Sequence, residues 1–243
     1  MDQSSLSLAA SMQALSTRLA GISHNLANVS STAFKRRTSS FDEALARTLE
    51  GGFTIVPVYH EQSDFQQGDL LTTNNQLNVG LLGEGYFSVR RPGDLSEVFY
   101  TRNGEFAVNR NGVLVTRGGF EVLGPGGSTV NVGGATGVKI STTGEITDQH
   151  SGDILGNIAL WRFADQESLS PAGSGLWKLH PSAGQPDRDR ITIIEQGSLE
   201  RSNVNALTEL VSMISVQRHF QGVARALSTI DAMNNQMNQL ALS

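Results

Sequence analysis

Apolar residues at the two ends of this chain recur with the same alternating step. Near the start, Leu8, Met12, Leu15, Leu19, Ile22, Leu26 and Val29 are spaced 4, 3, 4, 3, 4 and 3 apart. That average of about 3.5 residues is the seam of a coiled coil. Ser, Gln, Thr, Arg, His and Asn fill the intervals, so only a narrow stripe is apolar. Near the end, Met213, Val216, Phe220, Val223, Leu227, Ile230 and Met237 keep the same rhythm, with one polar interruption at Asn234. A helix with so narrow a stripe is marginal alone. Each end therefore needs a partner helix, and the other end supplies one. Ser202 or Asn203 is the expected N-cap of the second helix, with Glu209 in its early turns. Gly21 is the weak point of the first, costing about 1 kcal/mol relative to Ala in a helix interior.

Between the ends the period changes. In "YTRNGEFAVNRNGVLVTRGG", residues 100–119, Asn103-Gly104 and Asn111-Gly112 each separate short β-type runs. Asn-Gly suits the two positive-φ positions of a type I′ hairpin, so the stretch predicts a meander of short antiparallel strands. Further strands are expected at 86–90, 138–140, 154–163 and 191–195. Residues 35–67 fit neither period. Phe41, Leu45 and Leu49 suggest a short helix ended by Gly51-Gly52, and "FTIVPVYHEQSDFQQGD" looks extended, with Pro57 confining it to an edge or a linker. The expected organisation is an N-terminal helix over 1–34, a linker over 35–67, a central β domain over 68–197 and a C-terminal helix over 198–243. The fold class is α+β: terminal helices paired as a coiled coil, with a central all-β domain of short antiparallel strands.

Composition and motifs narrow the chemistry. The net charge is -5 and there is no cysteine, which argues against a nucleic-acid-binding face and removes disulfides, thiolate metal sites and cysteine nucleophiles. Charged residues are only 17% of the chain, below the roughly 25% of typical soluble domains. The five histidines are scattered without ligand spacing. "GLLGEGYF", residues 80–87, leads into a strand rather than a helix, so its glycines read as turn residues and not a phosphate loop. No nucleophile elbow or Ser-His-acid set stands out. Neither catalysis, nor a cofactor, nor a metal, nor a small-molecule substrate is expected. Asn28-Val29-Ser30 matches a glycosylation sequon by chance, and Lys35-Arg36-Arg37 is too small a cluster to imply nucleic acid. The first residues lack a basic start and a continuous apolar run, so no cleaved leader is expected.

Three blocks, in this order, carry a resemblance to a known family. They are "NLANVSSTAFKR" with Asn25, Leu26, Ala27, Asn28, Phe34 and Lys35; "GEGYFSV" with "YTRNGEFAVNRNGVLVTRGGFEVLG"; and "GSLERSNVNALTELVSMISVQR" with Ser202, Asn203, Val204, Gln217 and Arg218. Together they resemble the bacterial flagellar rod and hook family, the axial proteins of the flagellum. The resemblance implies a structural subunit of the basal-body rod that assembles with itself and other rod proteins into a helical tube. The terminal helices would pair in the inner layer, making the two stripes the assembly interface, and the β domain would form the outer layer. It also implies passage through the flagellar type III export apparatus and residence in the periplasm-spanning rod. Only 30 residues separate Arg36 from Gln67, which resembles the proximal rod protein more than the distal one. One position departs from the pattern: Ala33 precedes Phe34 where the family has glycine, so either the turn differs or it carries strain. A second reading of the same features is a β-domain binding module, for glycan or protein, dimerised by its terminal helices.

Overall fold

The structure is a computed structural model that describes residues 3–47, 53–94, 96–133, 135 and 137–241. It divides into two compact units. The first contains residues 1–29, 36–64 and 204–243, the second residues 30–35 and 65–203. Consecutive residues of the chain thus cross from one unit to the other four times, and two of those crossings bracket the motif that precedes Lys35.

In the first unit, helix α1 (Gln3–Ala27) is followed by strands β1 (Arg37–Arg47) and β2 (Phe53–Ser63) and, after the β-rich middle, by helix α2 (Ala206–Ala241). The expected coiled coil is corrected here. A coiled-coil seam buries its a and d positions in holes on the partner. Of the stripe residues, only Ile22 and Val216 are fully buried. Leu8, Met12, Leu15, Leu19, Leu26, Met213, Phe220, Val223, Leu227 and Ile230 are half-buried, and the side chain of Met237 lies outside the described residues. The reason is that α1 divides its packing between α2 and the β1–β2 ribbon instead of giving one seam to one helix.

The ribbon replaces the short helix expected at Phe41 and Leu45. Strands β1 and β2 pair antiparallel in continuous register from Arg37↔Ser63 to Arg47↔Phe53; Leu49, Gly51 and Gly52 lie outside the described residues. With only two strands, both are edges, the part of a sheet in which a proline such as Pro57 is tolerated. The N-cap of α2 is neither Ser202 nor Asn203. It is Asn205, whose side-chain oxygen accepts the Thr208 N–H at 3.1 Å, satisfying one of the first-turn donors that a helix leaves unpaired.

The second unit is β-rich. Its largest sheet runs in the order 169–173, 176–179, 98–101, 86–90, 121–122, 114–116 and 106–108, with 160–162 also pairing 86–90 and 187–188. Smaller sheets join 138–140, 145–148 and 154–157; 193–196 with 79–82; and 198–200 with 70–72. The core is built from Val79, Leu81, Phe87, Val89, Leu114 and Ile146 among others, with a second cluster around Tyr86, Tyr100, Phe163 and Trp177. The meander expected at 100–119 takes a different form. Residues 98–101 and 106–108 do not pair, so Asn103-Gly104 is not a hairpin turn. At Asn111-Gly112 the hairpin forms between 106–108 and 114–116, but only Gly112 has positive φ. The Asn109 side chain accepts the N–H groups of Asn111 and Val113, both at 2.9 Å, and this Asx geometry sets the loop instead of a type I′ turn.

Candidate functional site

Two of the residues quoted in the resemblance, Asn25 and Lys35, each belong to a polar cluster, one in each unit. Helix α1 closes with Asn28, whose amide donates to the His24 carbonyl at 2.8 Å, capturing a last-turn acceptor that would otherwise lack an intrahelical partner. One turn earlier, Asn25 is 1% exposed. Its Oδ1 accepts the Arg37 N–H and its Nδ2 donates to the Arg37 carbonyl, both at 2.8 Å. A side-chain amide thereby pairs both backbone groups of the first residue of β1, as a neighbouring strand would. The same Nδ2 reaches Glu209 Oε2 at 3.4 Å, and Glu209 Oε1 accepts from Arg36 Nε at 2.6 Å. Arg37 in turn pairs with Glu61 at 3.0 Å. The cluster edges a cleft of about 220 Å³ lined by Arg18, Asn25, Arg36, Arg37, Glu209 and Ser212. His24 is held below its ordinary pKa by burial first and the Arg37 cation second, against a raising effect of Glu61.

The second cluster is centred on Glu200, at 2% exposure. Its Oε1 accepts from Lys35 Nζ at 2.8 Å and from the Gly68 N–H at 3.1 Å, while Oε2 accepts from Arg102 Nε at 2.8 Å. Lys35 also donates to the Gln66 carbonyl at 2.7 Å, and Arg102 Nη1 to the Gly85 carbonyl at 2.9 Å. The Arg102 guanidinium lies over the Tyr86 ring at 5.5 Å, a cation–π contact that strengthens once desolvated. Burial pushes the Tyr86 hydroxyl well above its ordinary range, against the lowering effect of Arg102. One carboxylate thus receives two cations and a backbone N–H with no solvent between them. Saturated in this way, it holds together the chain segments at Lys35, Gly68 and Arg102.

Ala33 supplies the turn into this cluster. Its φ is 55°, the left-handed region, and its N–H donates to the Glu200 carbonyl at 2.8 Å. The turn has kept the geometry that suits glycine, so Ala33 carries the strain, about 1–2 kcal/mol for an L-residue in that region. Ala33→Val should cost the second unit about 2 kcal/mol more, because a β-branched side chain fits positive φ worst and the site is buried. Ala33→Gly should fall within about 1 kcal/mol of the natural chain, since strain relief is offset by lost methyl burial and added chain entropy. Denaturant midpoints followed by tryptophan fluorescence check both; a valine variant as stable as the natural chain would refute the strain.

Of the other motif residues, Val204 is buried, Leu26 and Phe34 are half-buried and Ala27 is exposed. The Asn203 N–H donates to the Phe34 carbonyl at 3.3 Å and its Nδ2 to the Gln66 carbonyl at 3.1 Å. Ser202 is half-buried beside them. Gln217 and Arg218 are exposed on α2 and join neither cluster. Sequence reasoning missed Glu200 and Arg102 and took Glu209 only as a first-turn acid. The signal available was Glu200 standing within the quoted "GSLERSNVN".

Comparison with known proteins fits this geometry. Residues 195–240, which hold Glu200 and Glu209, match a family model described as the flagellar basal body rod FlgEFG protein C-terminal. Residues 81–148, which hold Arg102, match one described as the flagellar hook protein FlgE/F/G D1 domain. The chain is 30% identical to the flagellar basal-body rod protein FlgG of Buchnera aphidicola (subspecies Acyrthosiphon pisum) over 90% of this chain and 92% of that one. The chain belongs to the flagellar basal-body rod protein family.

Other rod proteins align over similar spans. FlgG of Borreliella burgdorferi is 30% identical over 90% of this chain and 91% of its own length. FlgF of Caulobacter vibrioides is 30% identical over 85% of this chain and 84% of its own. The chain is a structural rod subunit of the flagellar basal body. Among the described residues, no helix is long and apolar enough to cross a membrane.

Proposed function

We propose that this rod protein assembles with copies of itself and with other axial proteins into a helical tube, after export through the flagellar type III apparatus. The resemblance gives the terminal helices, 1–34 and 198–243, the inner layer and the domain at 68–197 the outer one, with 35–67 joining them. The observation that carries the assembly role is the incomplete burial of both apolar stripes within one chain. Heterologous contacts that do not close on themselves propagate as a helix, and such contacts would cover the remaining stripe surface. Within the family we infer the proximal position, because 30 residues between Arg36 and Gln67 leave room for the β1–β2 ribbon and little else. The chain works without an enzymatic step, a nucleic acid or a small-molecule substrate.

The test is Leu19→Asp and Phe220→Asp, each placing a charge at a half-buried stripe position. Both should abolish recovery of the chain in isolated basal bodies while the secreted β unit keeps its native tryptophan emission. Normal incorporation of either variant would sink the stripes as an assembly interface.

A further inference from the structure

In the β unit, the loop over 188–193 keeps its carboxylate inside and its cations outside. Asp189 is buried. Its Oδ1 accepts the N–H groups of Ile191 at 2.8 Å and Thr192 at 3.1 Å, and its Oδ2 accepts from the Thr192 hydroxyl. The loop is also tied to its neighbours. The Asp189 N–H donates to the Leu160 carbonyl at 2.9 Å, the Ile194 N–H to the Thr142 carbonyl at 3.0 Å and the Gly85 N–H to Thr192 Oγ1 at 3.0 Å. Asp189 thus serves its own loop, while Arg188 and Arg190 on either side of it are exposed. Among the described residues, neither guanidinium has a hydrogen-bond or ion-pair partner. Both arginines line a cavity of about 430 Å³, with Thr142, Thr143, Ile191 and Ile193 on its other walls; ligand pockets typically measure roughly 300–1,000 Å³. Ile191 and Ile193 are 75% and 49% exposed, and Leu82, opposite Ile193 in the pairing of 193–196 with 79–82, is 45% exposed. Side chains opposite one another across two strands lie within reach, so the cationic cavity has an apolar lip.

We propose that this cavity binds an acidic peptide segment, one in which carboxylates stand beside apolar side chains. The charge complementarity is local: of the charged residues that line the cavity, the one acid is engaged by its own loop and the two arginines face outward. Guanidinium groups take carboxylates through paired N–H···O bonds, and the hydroxyls of Thr142 and Thr143 can donate further ones. Ile191, Ile193 and Leu82 would cover an apolar neighbour of the carboxylate, and β-branched side chains have little rotamer freedom to lose in doing so. A small inorganic anion would leave these three bare. A nucleic acid would call for more cations and for aromatic faces on which bases stack, and the lining contains no aromatic residue. The hydrogen bonds that fix the walls before anything binds lower the ordering cost of binding. The site uses no residue of either helical stripe and goes beyond the rod-subunit reading without depending on it.

The probe is a fluorescein-labelled hexapeptide of alternating leucine and glutamate, titrated with the full-length chain and followed by fluorescence anisotropy. Saturable binding is expected, and replacing its glutamates by glutamine, or its leucines by serine, should weaken binding by about tenfold. Arg190→Glu should weaken it as much. Arg110→Glu, the same charge change at another exposed arginine of the β unit, should leave it within about twofold, because a charge beyond the screening length contributes little. Ile191→Ser is the second variant, at a side chain exposed enough to leave the fold intact, and should weaken binding about threefold through lost apolar contact. Unchanged tryptophan emission verifies the fold of each variant. Absence of saturable binding, or equal losses from Arg190→Glu and Arg110→Glu, overturns the proposal. Inorganic phosphate or the serine–glutamate peptide competing as well as the leucine–glutamate one also overturns it, since the cavity would then take an adventitious ion only. Each of these failures leaves the rod reading intact, which fails instead if isolated basal bodies lack the chain.

Discussion

Glu200→Gln is expected to lower the stability of the unit containing residues 65–203 by about 3–5 kcal/mol, the usual consequence of removing one partner from a buried ion pair. Lys35 and Arg102 are each 3% exposed, so neither can turn to water when the carboxylate loses its charge. Glutamine keeps the shape and one acceptor oxygen, but sets its amide N–H₂ against a cation. For a unit of this size each kcal/mol moves the melting temperature by about 2–4 °C, so a shift on the order of 10 °C is expected. Both tryptophans, Trp161 and Trp177, lie in this unit, and their emission reports its unfolding specifically. Glu105→Gln is the internal control. Its partner Arg117 has a largely exposed side chain, and exposed pairs contribute about 0–1 kcal/mol. Equal midpoints for the two variants would mean that the Glu200 cluster is no stronger than a surface pair. A double variant, Lys35→Met with Glu200→Leu, should recover part of the loss, because removing both charges leaves less uncompensated.

The sequence carried the elements whose signal is local and left out those that depend on distant residues. The apolar stripes of α1 and α2 were readable because a helix repeats its face every few residues, and both helices are present. What shares their burial was not readable. Phe41 and Leu45 are four apart, a spacing that puts two side chains on one face of either a helix or a strand. Only the partner strand decides between them, and it does so through Phe41↔Tyr59 and Leu45↔Ile55. That ribbon is why the stripes do not close into a coiled coil. At Asn111-Gly112 the dipeptide marked the turn correctly, but its type was set by Asn109. Ala33 was legible as a departure from the glycine that the resemblance leads one to expect, and its φ of 55° lies in the left-handed region that glycine suits. Glu200 lies 165 residues from Lys35 and 98 from Arg102. No periodicity links them, and a buried charge looks the same in sequence as a solvated one.

Asn25→Ala is expected to destabilise the helical unit by about 3 kcal/mol. The substitution leaves the Arg37 N–H and carbonyl without their side-chain partner and takes a donor from Glu209. An orphaned buried polar group costs about 1–3 kcal/mol; partial exposure of Arg37 moderates its share, and the cavity left by the amide adds to the total. Asn25→Asp should be worse than Ala. An aspartate could still accept the Arg37 N–H, but it cannot donate to the Arg37 carbonyl, and its charge would face the Glu209 carboxylate, a like-charge contact that disfavours both ionised forms. The order of stability is therefore Asn above Ala above Asp. Far-UV circular dichroism follows this unit selectively, since α1 and α2 are the two α-helices among the described residues. The helical signal should melt earlier in both variants while the tryptophan transition of the β unit holds its midpoint. An aspartate variant as stable as the natural chain would show that the Asn25 amide does not need its N–H donors. The pairing of α1 to the first residue of β1 would then have to rest on apolar contact alone.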